Sequence, residues 1–380
     1  MGCLESEYRR EEIMVYQFRG YVTPVLVLLG IVGNVLVLAT FIVLQNKQKS
    51  RFNVHIMWIA TFETLDLIFD ALLDDFLGRG IHWISDCVIH IKLDTLSSWS
   101  CKLMSYSTLL TSFSSNTLLV LFTFDRFLTT YNPIRFRGDF FVGRLSYFLS
   151  VVIICLCVLL SPQLVHADVV TDGKTLDQSC MYPNPLHWGV QFILWLMNCG
   201  AYIIPTCLII ILNALIIGKF KSNQRNRHRM GVTVNQTQNE LPRIVGHLIL
   251  TSVFLLLTLP LVIVIILRQR ADRGNYVTKY PVFEKQLKDL SKLFSSFESI
   301  NRASLFPICL MFLPNFQQRA DRGNYVTKYP VFEKQLKDLS KLFSSFESIN
   351  RASLFPICLM FLPNFQQVWT RLLYHPRDSI

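Results

Sequence analysis

Two charged constellations interrupt the apolar runs of this chain, and each limits the chemistry available. In "LLVLFTFDRFLTTYNPIRFR", Leu118 to Arg137, an apolar run ends in Asp125 followed by Arg126. Leaving either charge buried and unpaired costs several kcal/mol. The pair therefore sits where the run leaves the apolar medium. There it can form a charge-assisted bond that is held or released, or Arg126 can simply reach for headgroups. The second constellation is Glu63, Asp66, Asp70 and Asp74, spaced i, i+3, i+7, i+11, which is one face of an α-helix. Acids inside an apolar span are expensive and mark functional sites. Their chemistry is the pairing of a cation. No nucleophile elbow, HExxH, P-loop or paired protease aspartates occur, so catalytic residues, metal ligands and a cofactor are not expected.

The elements that carry these residues are membrane helices. Of 380 residues, 51% are hydrophobic, mean hydropathy is +0.37, and only 17% are charged. Ordinary soluble chains carry roughly 25% charged residues. The net charge of +11 does not point to nucleic acid, because the bases cluster between apolar runs, as in loops facing anionic lipid. Ten cysteines form neither a disulfide scaffold nor a zinc spacing. A span needs about 20 apolar residues. Six runs qualify: Tyr21–Leu44, Val54–Leu77, Leu103–Phe124, Leu145–Leu164, Gly189–Ile217 and Ile244–Leu267. A seventh, "LSKLFSSFESINRASLFPICLMFLP", contains Lys341, Glu347 and Arg351, and needs protein neighbours to be stable.

That seventh segment occurs twice. Gln269–Gln318 and Gln318–Gln367 are identical with a shift of 49 residues. Two identical copies are not a solenoid, which needs three or more units. They read as a duplication, in the gene or in its assembly. The expected layout is an N-terminus over 1–20, helices one to six over 21–268, the first copy over 269–317, the second over 318–367, and a tail over 368–380. The second copy is expected to pack as helix seven, because it alone continues into "VWTRLLYHPRDSI", which reads as an interfacial helix.

Lys and Arg in short loops set the orientation. The loops after spans one, three and five are basic (Lys47, Lys49, Arg51; Arg126, Arg135, Arg137, Arg144; Lys219 to Arg243). They face the cytosol, which puts the N-terminus outside. The segment after span six, with Arg270, Arg273 and Lys279, runs against the rule. The opening "MGCLES" fits a lipidation pattern, but only with a cytosolic N-terminus.

Further residues narrow the architecture. Cys101 lies 25 residues before Arg126, and Pro133 lies seven after it. Gly33–Asn34 sits in span one, Pro205 in span five and Pro260 in span six. With this joint spacing the chain resembles the rhodopsin-like (class A) G-protein-coupled receptors over nearly its whole length. The resemblance implies an all-α membrane protein, a seven-transmembrane helix bundle, here with a duplicated seventh-helix segment. It implies that Asp125–Arg126–Phe127 matches the family's Asp-Arg-Tyr, with Glu240 at the base of span six completing a latch. It implies a disulfide from Cys101 to Cys180, and kinks at Pro205 and Pro260. It places Glu63 at the family's sodium-site aspartate, with Asp66 as an alternative, and Asn34, Ser115 and Asn350 among its polar companions. Departures are Thr258 for the usual tryptophan of span six, and the missing Asn-Pro-x-x-Tyr in "NRASLFPIC". With Asn213 they are most similar to invertebrate FMRFamide-type neuropeptide receptors.

The function implied is a plasma-membrane receptor for an extracellular ligand, signalling through heterotrimeric G proteins. Amine receptors carry an Asp where this chain has Thr108, and the stretch around Ser348 lacks the lysine that retinal needs. A peptide remains. Asp66, Asp70, Asp74 and Thr108 are the expected ligand contacts. No partner for Asp70 or Asp74 is evident in the outer halves of the spans, which favours an Arg-bearing peptide such as one ending in Arg-Phe-amide. Two other readings are a receptor-like protein that does not signal, and a transporter or channel that uses the acidic face of span two.

Overall fold

The computed structural model describes residues 10–47, 49–89, 91–132, 142–171, 178–184, 186–230, 241–273, 281–305 and 308. They belong to one unit, Met1–Phe312; the second unit, Leu313–Ile380, lies outside the described residues.

Seven helical runs make the bundle. α1 comprises Arg10–Gln17, a wide π turn over Phe18–Val22, and Thr23–Lys47. α2 comprises Arg51–Asp66, a π-wound stretch Leu67–Gly80, and Ile81–Ile84. α3 is Ser98–Tyr131, and α4 is Val142–Leu160 with a further turn Pro162–His166. α5 comprises Trp188–Trp195, a π stretch Leu196–Ile203, and Ile204–Met230. α6 is Leu241–Arg273 and α7 is Pro281–Ala303. Between α4 and α5 a hairpin forms from β1, Asp168–Thr171, and β2, Gln178–Met181, paired antiparallel with Val169 opposite Cys180.

Burial separates the helices. In the most apolar window of α3, 61% is buried, against 22% in α4. α3 is therefore the central post, packed on α2 and α5, while α4 sits at the edge. An apolar cluster of Leu109, Phe113, Leu156, Leu160, Ile193 and Leu196 joins α3, α4 and α5. Ile154, Val158 and Leu256 point out of the bundle, as lipid-facing side chains do. α1 packs on α2 and α7, and it closes on both at Gly30. A Cβ there would lie 2.6 Å from a Leu67 methyl and 3.0 Å from Ala303 Cβ.

Two expectations need correction, and a third falls outside the described residues. The helix of span one starts at Arg10 rather than near Tyr21, because nothing in "REEIMVYQFRGY" breaks it. The first copy forms α7, and the second copy, which the continuation into the tail favours as helix seven, lies outside the described residues. α6 ends at Arg273 and α7 starts at Pro281, and so short a link makes the first copy the natural antiparallel neighbour. The acidic stripe on α2 also changes. An i→i+5 winding takes more residues per turn than an α-helix. Over Leu67–Gly80 it hands the buried position after Asp70 to Asp75, 2% exposed, instead of Asp74.

Candidate functional site

The middle of the bundle holds one guanidinium. Arg302 of α7 is 2% exposed and reaches toward α2 and α3. Its Nε donates to Asp66 Oδ2 at 2.8 Å. One terminal nitrogen donates to Ser115 Oγ at 2.8 Å and Asn116 Oδ1 at 3.1 Å. The other donates to Ser112 Oγ at 3.2 Å and Glu298 Oε1 at 3.1 Å.

The surrounding groups are engaged in turn. The second oxygen of Asp66 accepts from Thr111 Oγ1 at 2.7 Å, and Glu298 Oε2 accepts from Tyr202 of α5 at 3.0 Å. Asn34 of α1 donates to the Arg302 carbonyl at 3.2 Å. Proline at 205 removes an N–H and crowds the carbonyl four residues back. That carbonyl, of Ala201, accepts from Asn116 Nδ2 at 2.9 Å. So the break in α5 is satisfied by the residue that also holds Arg302. Glu63 is buried beside this group, and its Oε2 has no partner.

Toward the disulfide end of the bundle lies a second set of acids. Asp75 pairs with Arg19 at 3.0 Å and accepts from Ser296 Oγ at 3.1 Å. Asp74 pairs with Arg79 at 2.9 Å. Asp70, half-buried, lies between these pairs and Asp66, with no ion pair among the described residues. Cys101 at the start of α3 is bonded to Cys180 of β2, with Cα atoms 5.5 Å apart. This bond pins the hairpin over the same end.

At the other end, Asp125 Oδ2 accepts from Arg126 at 2.7 Å and its Oδ1 pairs with Arg51 of α2 at 3.1 Å. The Arg126 guanidinium lies over the rings of Phe52 and Phe122, 5.4 and 5.6 Å from their centroids. Its Nε has no partner. Beneath it, Phe122 packs between His55 and His247, and His247 Nε2 meets Thr123 Oγ1 at 3.2 Å.

A membrane bundle with this charged helix end and this disulfide meets its family at the level of sequence. The family model described as "7 transmembrane receptor (rhodopsin family)" matches residues 33–301. The chain belongs to that family. It is a multi-pass membrane receptor, not an enzyme. It is 27% identical over 229 residues to somatostatin receptor type 5 of Rattus norvegicus. The match covers 57% of this chain and 58% of that receptor, so this chain spans well under two thirds of its relative.

Within this rhodopsin-family receptor, the expected residues fall into three groups. Asp125, Arg126 and Arg51 come together, while Phe127 turns to Phe124 and Tyr131, 6.4 and 5.5 Å away between centroids. Glu240 and Asn350 lie outside the described residues. Ser115 and Asn34 do reach the polar centre, but through α7 it is Arg302 that enters it. The first-copy equivalent of Asn350, Asn301, is buried one residue before Arg302. Asp66, expected as a ligand contact, is taken by Arg302 and Thr111. Asp74, expected to lack a partner, has Arg79, and Thr108 is half-buried on α3.

Arg19 and Asp75 were not foreseen in the sequence, and Glu298 and Arg302 were foreseen only through their second-copy equivalents Glu347 and Arg351, as charges that need protein neighbours, without a site. A signal for Arg302 exists. Glu298 and Arg302 stand four apart on one helix face, and an intramembrane Arg and Glu demand partners on another helix. Arg19 stands outside the apolar run of span one, which begins at Tyr21.

Proposed function

We propose that this receptor binds an extracellular peptide with a cationic group at Asp70 and signals through heterotrimeric G proteins from the plasma membrane. The N-terminus is outside and the Asp125–Arg126 end faces the cytosol. The observation that carries the ligand reading is the position of Asp70. It is the acid of α2 with a half-buried side chain and no cation among the described residues, between neighbours that each have one. Negative potential focused in such a cleft favours a positive ligand group. Coupling rests on Arg126, held by Asp125 and with an unused N–H, as a group that can exchange partners. Glu240 is its further partner in the inactive state.

The rat relative is by its name a receptor for somatostatin, which supports a peptide. The departures at Thr258 and in "NRASLFPIC" support an FMRFamide-type receptor and an Arg-Phe-amide ligand. A cation path along α2 is disfavoured, because Arg302 stands across it at Asp66.

A neuropeptide library, screened on cells that express the full chain with a promiscuous G protein, tests this reading. An Arg-bearing agonist should emerge and lose tenfold or more potency on Asp70→Asn. Replacing its Arg by a neutral residue should cost nothing further on that variant. Equal potency on wild type and Asp70→Asn removes Asp70 from the site, and responses confined to acidic peptides overturn the ligand class.

A further inference from the structure

The resemblance in sequence places the family's sodium-site positions on helices two, three and seven, with the Asn-Pro-x-x-Tyr missing. The described geometry fills that place with part of the chain. A guanidinium has five N–H donors. Arg302 makes five bonds to five acceptors: Asp66 Oδ2, Ser115 Oγ, Asn116 Oδ1, Ser112 Oγ and Glu298 Oε1. No donor is left over, and the acceptors lie on α2, α3 and α7 itself. Most of the oxygens that a small cation would collect here already accept from the guanidinium; Glu63 Oε2, buried beside it, does not, and one carboxylate oxygen is too few ligands to hold a small cation. A second positive charge in the same low-dielectric space meets repulsion as well as the loss of those oxygens.

We propose that Arg302 is the tethered resident cation of the bundle centre, and that this receptor takes no sodium ion there. Three features favour a fixed occupant over a transient one. Arg302 is 2% exposed, so its guanidinium is shut off from bulk water. Asn34 of α1 holds its backbone carbonyl, which locks the register of α7 against α1. Asn116 is itself fixed by the carbonyl that Pro205 frees, so the acceptor is aimed before the guanidinium arrives. Glu298 then extends the network to Tyr202, which ties α5 to the same cation. A bundle whose centre is filled in this way does not depend on ambient salt for its inner charge balance. The inference concerns charge balance inside the bundle and holds whatever ligand the receptor binds.

The test uses the purified full chain in nanodiscs. Its thermal midpoint is measured in sodium chloride and in choline chloride at equal ionic strength. Wild type should show the same midpoint in both. In Arg302→Gln, combined with Arg351→Gln so that the identical second copy cannot supply the charge, the midpoint should fall in choline chloride and be partly restored by sodium chloride. Arg302→Lys with Arg351→Lys keeps the charge but not the five-way bonding. It should lose stability and stay indifferent to the choice of cation. A sodium-specific rise in the wild-type midpoint overturns the proposal, and that measurement needs no variant to fold. A folded glutamine variant with the wild-type midpoint in both salts overturns it equally.

Discussion

Two arginines of this receptor sit in polar clusters of opposite character. Arg302 in the bundle centre uses all five donors on five acceptors and is 2% exposed. Arg126 at the helix end has one carboxylate, two aromatic faces and an unused Nε, and its carboxylate is shared with Arg51. A fully satisfied network has no better arrangement nearby, so it fixes the helices it joins. A half-satisfied one has alternatives of similar energy, which a two-state switch requires. The same side chain thus serves as a rivet in one place and as a latch in the other. The difference lies in how many partners the fold supplies.

The largest effect should come from taking a partner from the rivet. Asp66→Ala leaves Arg302 buried with half its anionic support. Breaking a buried pair from one side costs about 3–5 kcal/mol. Surface expression of the full chain should collapse, whereas Ile154→Ala on the exposed face of α4 should leave it within about 0.5 kcal/mol of wild type. Normal expression of Asp66→Ala, read by flow cytometry, would break the distinction.

Next in size is the covalent pin. Cys101→Ser and Cys180→Ser should each cost about 2–4 kcal/mol, and the double variant should be no worse than either alone. Peptide mapping under non-reducing conditions checks the bond directly, and finding both thiols free refutes it. Packing beneath the rivet follows. A side chain on Gly30 must displace Leu67 and Ala303. Gly30→Val should cost about 1–3 kcal/mol by overpacking, seen as a lower thermal midpoint. An unchanged midpoint would show that α1 can move away from α7 freely.

Much of this architecture was legible in the sequence. Apolar runs mark six of the helices, because crossing a bilayer leaves a length and composition signal that needs no partner. Among the described residues, five helical runs qualify as spans by length and hydropathy, and α2 and the described part of α7 are not among them. α2 carries Glu63, Asp66, Asp70, Asp74 and Asp75, of which Asp66, Asp74 and Asp75 meet arginines inside the bundle. Arg302 meets Asp66 across 236 positions, and no local pattern announces such a pair. Asn350 and Arg351 are adjacent, so an expectation at the first missed, by one residue, the type that does the pairing. The exchange of Asp74 for Asp75 came from a π winding, which α-helical periodicity cannot foresee. Arg126 was legible because its pairing partner is its own neighbour.

The smallest effect should come from the latch, and it is the one that defines a latch. Asp125 lies between Arg51 and Arg126, so removing Arg51 does not open the ion pair. It gives Arg126 sole claim on the carboxylate, which strengthens the resting state. Removing Glu240 acts in the opposite sense if it is the second partner of Arg126. Each change leaves Arg126 its bond to Asp125, so the shift should lie near 1 kcal/mol, within the usual range of about 1–3 for coupling energies. That amounts to a several-fold change in a minor active state. Basal signalling should therefore fall in Arg51→Gln and rise in Glu240→Ala at matched surface expression, with neither variant losing stability. Arg126→Ala should abolish coupling while leaving ligand binding intact. Should Arg51→Gln and Glu240→Ala move basal signalling in the same direction, the two residues do not compete through Arg126. The half-satisfied cluster would then be a second rivet with poorer bonds.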